Sequence, residues 1–542
     1  MLKKLLTTPL IYIFILGFFL RTWNLTSLPP GFHVDEVKAG WNAFSLWKTG
    51  RDDWLHAFPL HYDTFGDQRP TGFFYSAVPS LAIFGLNLFA IRFTSALFGS
   101  LAVIAVFFLV SELDIKNSKL KIKNYAAFLL ALSPWHISLS RASSEGIIAT
   151  TLLLFGLVYF LACLRQKSVP KLFLALVFLC LSYFFYHTTR ILVPIFVLLT
   201  LVYYQFQTGS RKIWLPSVIA LIIVSLLTLA FALTPAARSR LSQVSIFNDP
   251  GIKFELDRLP FEEGPNHVFI TRMLHNKLVI YTTRFINEYT RYFSSDFFLT
   301  PGVARPVRYQ TASQGLLLYA EYLLLVIGLF ALIKKRLPAL PAILLLAAPL
   351  PAALTTEDAP NLHRALVMIP FISVLAAFGL AYLASLNRRI FYLALLIFVL
   401  NFFYWSHMYI VHTPNRDEIT LSRNAGVTNL ISFLAVNQSA YDRILLTNRP
   451  DNLYPWYAFL THADPKIFNP LVAPNKNTQF SYGKIIFSQY RCPSEHLSQN
   501  PRLHVLAVDA EGCQVRGSLN LVASINRSGG GHPYTLWTFN SL

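Results

Sequence analysis

Charged side chains are scarce in this chain, and several occur in short motifs that mix carboxylates, guanidiniums and imidazoles between hydrophobic runs. Residues 33–36 read HVDE, with Asp35 and Glu36 adjacent, and residues 65–70 read FGDQRP, with Asp67 and Arg69. Residues 133–146 read SPWHISLSRASSEG, with Arg141 and Glu145, and residues 186–190 read YHTTR, with His187 and Arg190. Farther on come RPVRYQT at 305–311 and TEDAPNLHRAL at 356–366, the latter with His363 and Arg364. A positioned carboxylate takes a proton from a hydroxyl, and Arg has the shape and charge to bind phosphate oxygens. Together they suit a hydroxyl to be deprotonated and a phosphate leaving group whose growing charge needs stabilising.

The same residues have plainer readings. Asp35 and Glu36 suit the positively polarised start of a helix running to Gly50, with Asp35 as its cap and Ala39, Ala43, Leu46 and Trp47 as an apolar stripe on the membrane surface. Arg92 and Arg364 can snorkel or brace helices. Trp135 and His136 read as interfacial anchors, His33, His187 and His363 as structural histidines or ligands, and Asp52 and Asp53 as a solvated face.

Holding the motifs together is the task of a membrane scaffold. Of 542 residues, 54% are hydrophobic and 13% charged, and the mean hydropathy of +0.47 is far above that of soluble domains. Apolar runs near 8–23, 87–111, 125–140, 147–164, 170–187, 190–207, 213–233, 315–333, 338–354, 364–384 and 390–411 predict roughly eleven helical crossings. The ten-residue alternation of a transmembrane barrel is lacking. No small-residue cleavage site follows the first run, which reads as an uncleaved span.

Basic residues gather in alternate connections: Lys3 and Lys4; Lys116, Lys119, Lys121 and Lys123; Arg165, Lys167 and Lys171; Arg211 and Lys212; Lys334, Lys335 and Arg336; Arg388 and Arg389. By the positive-inside rule these are cytoplasmic, as is the N-terminus, and an odd number of spans places the C-terminal segment outside. The formal charge of +19 is thus a topology signal, and no nucleic-acid partner is expected. The fold class is mainly α, a polytopic helical bundle in the plasma membrane, or the inner membrane of a prokaryote. A membrane domain spans 1–411, with long outside loops at 24–86 and 234–314, and residues 412–542 alternate β-like runs with helix as a small extracytoplasmic α/β domain. All the polar motifs fall at the outside ends of spans, which suggests one polar cavity open to that side. Cys492 and Cys513 lie where oxidising conditions permit a disulfide, Cys163 and Cys180 lie inside spans, and no Cys/His spacing suggests a zinc site.

The ordered combination of DE in the first loop, PLHYDTFGDQRPTGFFY, FGLNLFAIRFTSALFG, LSPWHISLSRASSEG and YHTTRILVP resembles GT-C type membrane glycosyltransferases. More narrowly it resembles the branch of the protein O-mannosyltransferases and lipid A aminoarabinose transferases. The resemblance covers about the first 390 residues. It implies a sugar donor carried on a polyprenyl monophosphate and an Asp base in the first loop, here Asp35 with Glu36 beside it. The Lys-Pro-Pro element near the donor phosphate in the aminoarabinose transferases is matched by Arg69-Pro70-Thr71, which keeps the charge and loses the second proline. Arg69 with Arg141 or Arg190 is then expected to bind the phosphate, and Asp67, Glu145, His187, His363 and Arg364 are further substrate-binding candidates. The acceptor is a glycan, lipid or protein hydroxyl, and the lack of an inserted soluble domain at 234–314 means that a protein acceptor is not implied. No cofactor or essential metal is expected, because the Arg residues balance the charge. A transporter or flippase of anionic lipid-linked sugars, and a non-catalytic glycan-binding relative, are the alternatives. Against a transporter, no paired halves are visible.

Overall fold

The computed structural model describes residues 9–64, 67–113, 121–209, 214–264, 268–449, 451–474, 479–496, 503–514 and 519–539. Lys3, Lys4, Lys116, Lys119, Arg211 and Lys212 of the topology reading lie outside the described residues.

Each of the eleven apolar runs coincides with helix. In chain order the first half contains α1 (Pro9–Thr22), α2 (Val34–Thr49), a hairpin of β1 (His61–Thr64) and β2 (Asp67–Pro70), α3 (Gly72–Phe84), α4 (Leu88–Glu112), α5 (Ile122–Leu132), α6 (Pro134–Ser140), α7 (Glu145–Gln166), α8 (Val169–Ser182), α9 (His187–Thr208) and α10 (Trp214–Ala232). After short helices between 235 and 299 follow α11 (Tyr319–Lys334), α12 (Leu340–Ala347), α13 (Met368–Leu386) and α14 (Arg388–His407). Among the described residues, six helices are long and apolar enough to cross a membrane: Leu88–Glu112, Glu145–Gln166, His187–Thr208, Trp214–Ala232, Met368–Leu386 and Arg388–Asn415.

The run expected as one span at 125–140 is two helices. Pro134 has no N–H to continue α5, so the chain breaks at Ser133 and restarts with Pro134 in the first turn of α6. In the core, α11 and α13 cross at their glycines. A Cβ on Gly328 would lie 1.8 Å from the Leu375 carbonyl oxygen, and one on Gly379 2.2 Å from that of Leu324, so only glycine permits this backbone approach.

Beyond α14 come α15 (Asp417–Ser422), α16 (Val427–Asn437), β3 (Arg443–Thr447), α17 (Tyr454–Leu460), α18 (Pro465–Val472), β4 (Phe480–Tyr482), β5 (Ile485–Ser488), β6 (Val505–Ala510), β7 (Leu519–Ile525) and β8 (Tyr534–Phe539). The strands form one mixed sheet of order β4-β5-β3-β6-β8-β7, parallel at β5-β3-β6. A Cys492–Cys513 disulfide joins the segments that follow β5 and β6.

The helix expected along the membrane surface is instead covered. Trp41, Ala43 and Leu46 of α2 are buried in one apolar cluster with Trp456, Phe459 and Phe468 of α17 and α18, and only Trp47 of the stripe is exposed. The Trp41 indole N–H donates to Asn469 Oδ1 at 3.0 Å, and that of Trp456 to the Phe32 carbonyl at 2.8 Å. Asp52 and Asp53 are fully buried too, not solvated: Asp52 accepts from the Trp54 and His56 N–H groups, and Asp53 from the Tyr62 and Tyr454 hydroxyls.

Candidate active site

The start of α2 gives the paired carboxylates different bonds. The N-cap is His33, whose Nδ1 accepts from the Asp35 N–H at 3.0 Å, while Glu36 accepts from the His33 N–H at 3.1 Å and closes a capping box. Capping therefore falls to His33 and Glu36, and Asp35 is not the cap. Its carboxylate lines a cavity of about 310 Å³.

Asp35 Oδ1 lies 3.0 Å from Arg69 Nη1, and Oδ2 lies 3.5 Å from Arg308 Nη2. Burial pushes the Asp35 carboxyl up, but the Arg69 guanidinium and its charged neighbours outweigh this and hold it well below the usual range. Burial and Arg308 lower His33 to about 3, so it is a neutral imidazole.

Glu36 lines the same cavity but is more deeply paired. It is 3% exposed and accepts from Arg92 Nε and Nη2 at 3.0 Å each, from Arg423 Nη2 at 2.7 Å and from the Ser143 N–H at 3.2 Å. Although burial opposes ionisation, Arg423 and Arg92 bring it down to about 2. With its oxygens taken up by Arg92, Arg423 and the Ser143 N–H, Glu36 is suited to holding the start of α2. Arg92 also donates to the Leu25, Pro29 and Gly31 carbonyls, so it braces the first loop.

Of the other expected residues, Arg69, Glu145, His187, His363 and Arg364 line the same cavity. Arg69 comes from β2, and Glu145 opens α7 after its Ser144 cap. His363 bonds Ser144 Oγ at 2.8 Å and the Tyr186 hydroxyl at 3.0 Å, and stacks on Tyr309 with ring centroids 5.3 Å apart. Burial, with Arg308 and Arg364, lowers His363 to about 3. Arg364 donates to Glu357 Oε2 at 2.5 Å and Thr355 Oγ1 at 2.8 Å. Asp67 begins β2, and its side chain lies outside the described residues.

Two expected phosphate ligands do not reach the cavity. Arg141 donates to the carbonyls of Leu20, Trp23 and Leu28 at 2.7, 2.6 and 3.1 Å, pinning the end of α1. Arg190 donates to the Tyr183 carbonyl at 2.9 Å and lies over the Phe231 ring at 4.2 Å, behind His187. Trp135 and His136 are likewise buried, donating to Leu362 and pairing with Arg21, rather than anchoring at an interface.

Arg308 takes the place expected of those arginines. It lines the cavity, pairs with Asp35, and its buried Nε has no hydrogen-bond partner among the described residues. A guanidinium that lines a cavity is suited to an incoming anion. The polar motif RPVRYQT was visible, but nothing in it separates Arg308 from Arg305. Arg423, which also lines the cavity, had no local signal at all. Among the described residues no group of three or more His, Cys, Asp or Glu side chains is placed to hold a metal ion.

Residues 68–228 match the sequence profile of the dolichyl-phosphate-mannose-protein mannosyltransferase family. ArnT from Cupriavidus metallidurans, solved bound to undecaprenyl phosphate, superposes with a TM-score of 0.53 at 11% identity, covering 98% of this chain and 97% of that one. Its apo structure gives 0.51 at 12% identity over the same shares. The fold is that of the GT-C glycosyltransferases. The archaeal oligosaccharyltransferase AglB from Archaeoglobus fulgidus, in complex with an inhibitory peptide and a dolichol-phosphate, gives 0.49 at 14% identity over 84% of this chain, which spans 63% of AglB's length. A search of curated protein sequences finds no match. Within the GT-C fold, the matched stretch contains Arg69 and Glu145, and Asp35 lies upstream of it.

Proposed function

We propose that the protein is a membrane glycosyltransferase that moves a sugar from a polyprenyl monophosphate to an acceptor hydroxyl on the extracytoplasmic face. The observation that carries this reading is Asp35 set between Arg69 and Arg308 in a polar cavity. The GT-C fold and the undecaprenyl phosphate bound by ArnT support a lipid-linked donor.

In the proposed reaction Asp35 takes the acceptor proton as the acceptor oxygen attacks the anomeric carbon. The bond from that carbon to the phosphate oxygen breaks, and its electron pair leaves with the phosphate. Arg69 and Arg308 stabilise the charge that grows there, each such donor being worth about 3 kcal/mol in the transition state. A single displacement inverts the anomeric centre. Glu145, His187 and His363 form walls for the sugar or acceptor, and the acceptor is a glycan, lipid or protein hydroxyl. The N-terminus is cytoplasmic and the α/β unit extracytoplasmic, as the basic connections indicate. With a monophosphate leaving group between two arginines, the reaction needs no metal. Activity lost on chelation and restored by Mn²⁺ would refute that.

The test is transfer of labelled sugar from polyprenyl-phosphate donors by the protein in lipid, with Asp35→Asn beside the wild type. Loss of transfer in a folded variant that still binds polyprenyl phosphate is expected. Wild-type turnover in Asp35→Asn would remove Asp35 as base, and translocation without transfer would make the protein a transporter.

A further inference from the structure

We propose that Arg423, supplied by the segment that follows the last membrane helix, is a positioning residue that sets Asp35 and Arg308 relative to each other. The proposal rests on the reading of Asp35 as the base and gives residues 412–542 a part in the reaction that does not require contact with the acceptor.

Arg423 is fully buried between α15 and α16. Its three nitrogens point to three pieces of chain: Nε donates to the Pro30 carbonyl at 2.7 Å, Nη2 to Glu36 Oε2 at 2.7 Å and Nη1 to the Arg308 carbonyl at 3.2 Å. Pro30 and Glu36 bracket the turn into α2, so two of these bonds hold the segment that presents Asp35. The third holds the backbone of the other cation on Asp35. One planar guanidinium thus ties together the two backbone segments that carry the base and its phosphate-facing partner, a geometry that a single ammonium cannot reproduce.

The neighbouring contacts act in the same place. Asn424 Oδ1 accepts from the Val34 N–H at 3.1 Å, and Asn424 Nδ2 donates to Asp451 Oδ2 at 2.7 Å, tying the first turn of α2 to the α/β unit. A Cβ on Gly31, which has φ +72°, would lie 2.4 Å from the Arg423 carbonyl oxygen, so the turn closes on Arg423 only with glycine there. From the membrane half, Arg92 donates to both oxygens of Glu36, sharing Oε2 with Arg423. Glu36 is therefore the anchor point between the two halves, and its neighbour Asp35 is placed by whatever holds that anchor.

The experiment uses the full-length protein in lipid nanodiscs with Arg423→Gln, Arg423→Lys and, as a control on the same unit, Arg491→Gln. Turnover, binding of undecaprenyl phosphate and backbone hydrogen exchange are measured below the melting temperature of each variant. A displacement near 1 Å at reacting groups can cost about a hundredfold, so Arg423→Gln is expected to lower kcat roughly ten- to hundredfold. Arg423→Lys, which keeps the charge beside Glu36, is expected to lose less without regaining wild-type turnover. Arg491→Gln is expected to match the wild type. Exchange should quicken at residues 33–37 and 305–309 and stay unchanged in the membrane helices. Wild-type kcat in a folded Arg423→Gln or Arg423→Lys protein, or quickened exchange confined to residues 412–542, would overturn the proposal. If Arg423→Gln does not fold, the Lys variant decides by the same criteria. If the wild type transfers sugar from no polyprenyl-phosphate donor, the proposed function fails, and the exchange pattern still tests the clamp.

Discussion

Asp35 Oδ1 sits 3.0 Å from Arg69 Nη1, so the carboxylate that would take the acceptor proton is ion-paired with a guanidinium of the same cavity. Its folded pKa is depressed, which means that it stays ionised as pH falls through the ordinary carboxylate range near 3.9. A donor phosphate that draws Arg69 and Arg308 to itself leaves Asp35 less compensated and more basic. The acid limb of kcat should therefore lie at higher pH than that of kcat/KM, which reports the free enzyme. Coincident limbs in the two profiles would contradict this exchange of partners.

Arg69 and Arg308 should behave alike, and Arg141 and Arg190 should not. Replacing Arg69 or Arg308 with Gln is expected to lower kcat by about 10²- to 10³-fold and to weaken binding of undecaprenyl phosphate. Arg141→Gln removes the donor for three backbone carbonyls at the end of α1, so it is expected to lower the melting temperature and leave phosphate affinity in the folded protein unchanged. Titration of each variant with undecaprenyl phosphate separates the two classes.

Glu36 links acid sensitivity to the frame of the site. Its pKa falls from an ordinary 4.5 to about 2, so its contribution to stability is complete above about pH 4.5 and is lost as pH falls toward 2. At one pKa unit per 1.36 kcal/mol the full contribution is about 3 kcal/mol. Glu36→Gln should flatten the acid unfolding curve in this window, and Glu36→Ala should destabilise by about 3–5 kcal/mol because it leaves two buried guanidiniums unpaired. Acid titration followed by circular dichroism measures both.

The Cys492–Cys513 disulfide closes a loop with a sequence separation of 21 residues. A loop of that size stabilises by roughly 3 kcal/mol, so reduction or Cys492→Ser is expected to lower the melting of the α/β unit. Because α17 and α18 of that unit cover α2, turnover should fall at a lower temperature as well. A thermal inactivation series with and without reductant tests this.

Much of the molecule was legible in one dimension. Hydropathy is a local property, so the runs that became α4, α7, α9, α10 and α13 were readable within a few residues, and so was the α2 segment ending at Gly50. Asp35 stood out because a carboxylate pair near a span is costly unless it has a function or a partner. Even the break at Ser133-Pro134 was written in the missing N–H of a proline, although the apolar run around it read as one span.

Only the tertiary structure decided which arginines surround that carboxylate. Arg308 is 273 residues from Asp35 and Arg423 is 387 from Glu36, and no local pattern records such distances. Arg141 and Arg190 looked equally suited by type and position, yet helix crossings turned them toward backbone carbonyls. The packing of α17 and α18 over the end of α2 buried Asp52 and Asp53. Residue type determined what chemistry this protein has available. The packing of remote elements decided which atoms share the cavity, because burial and hydrogen-bond satisfaction are settled by every element that meets there.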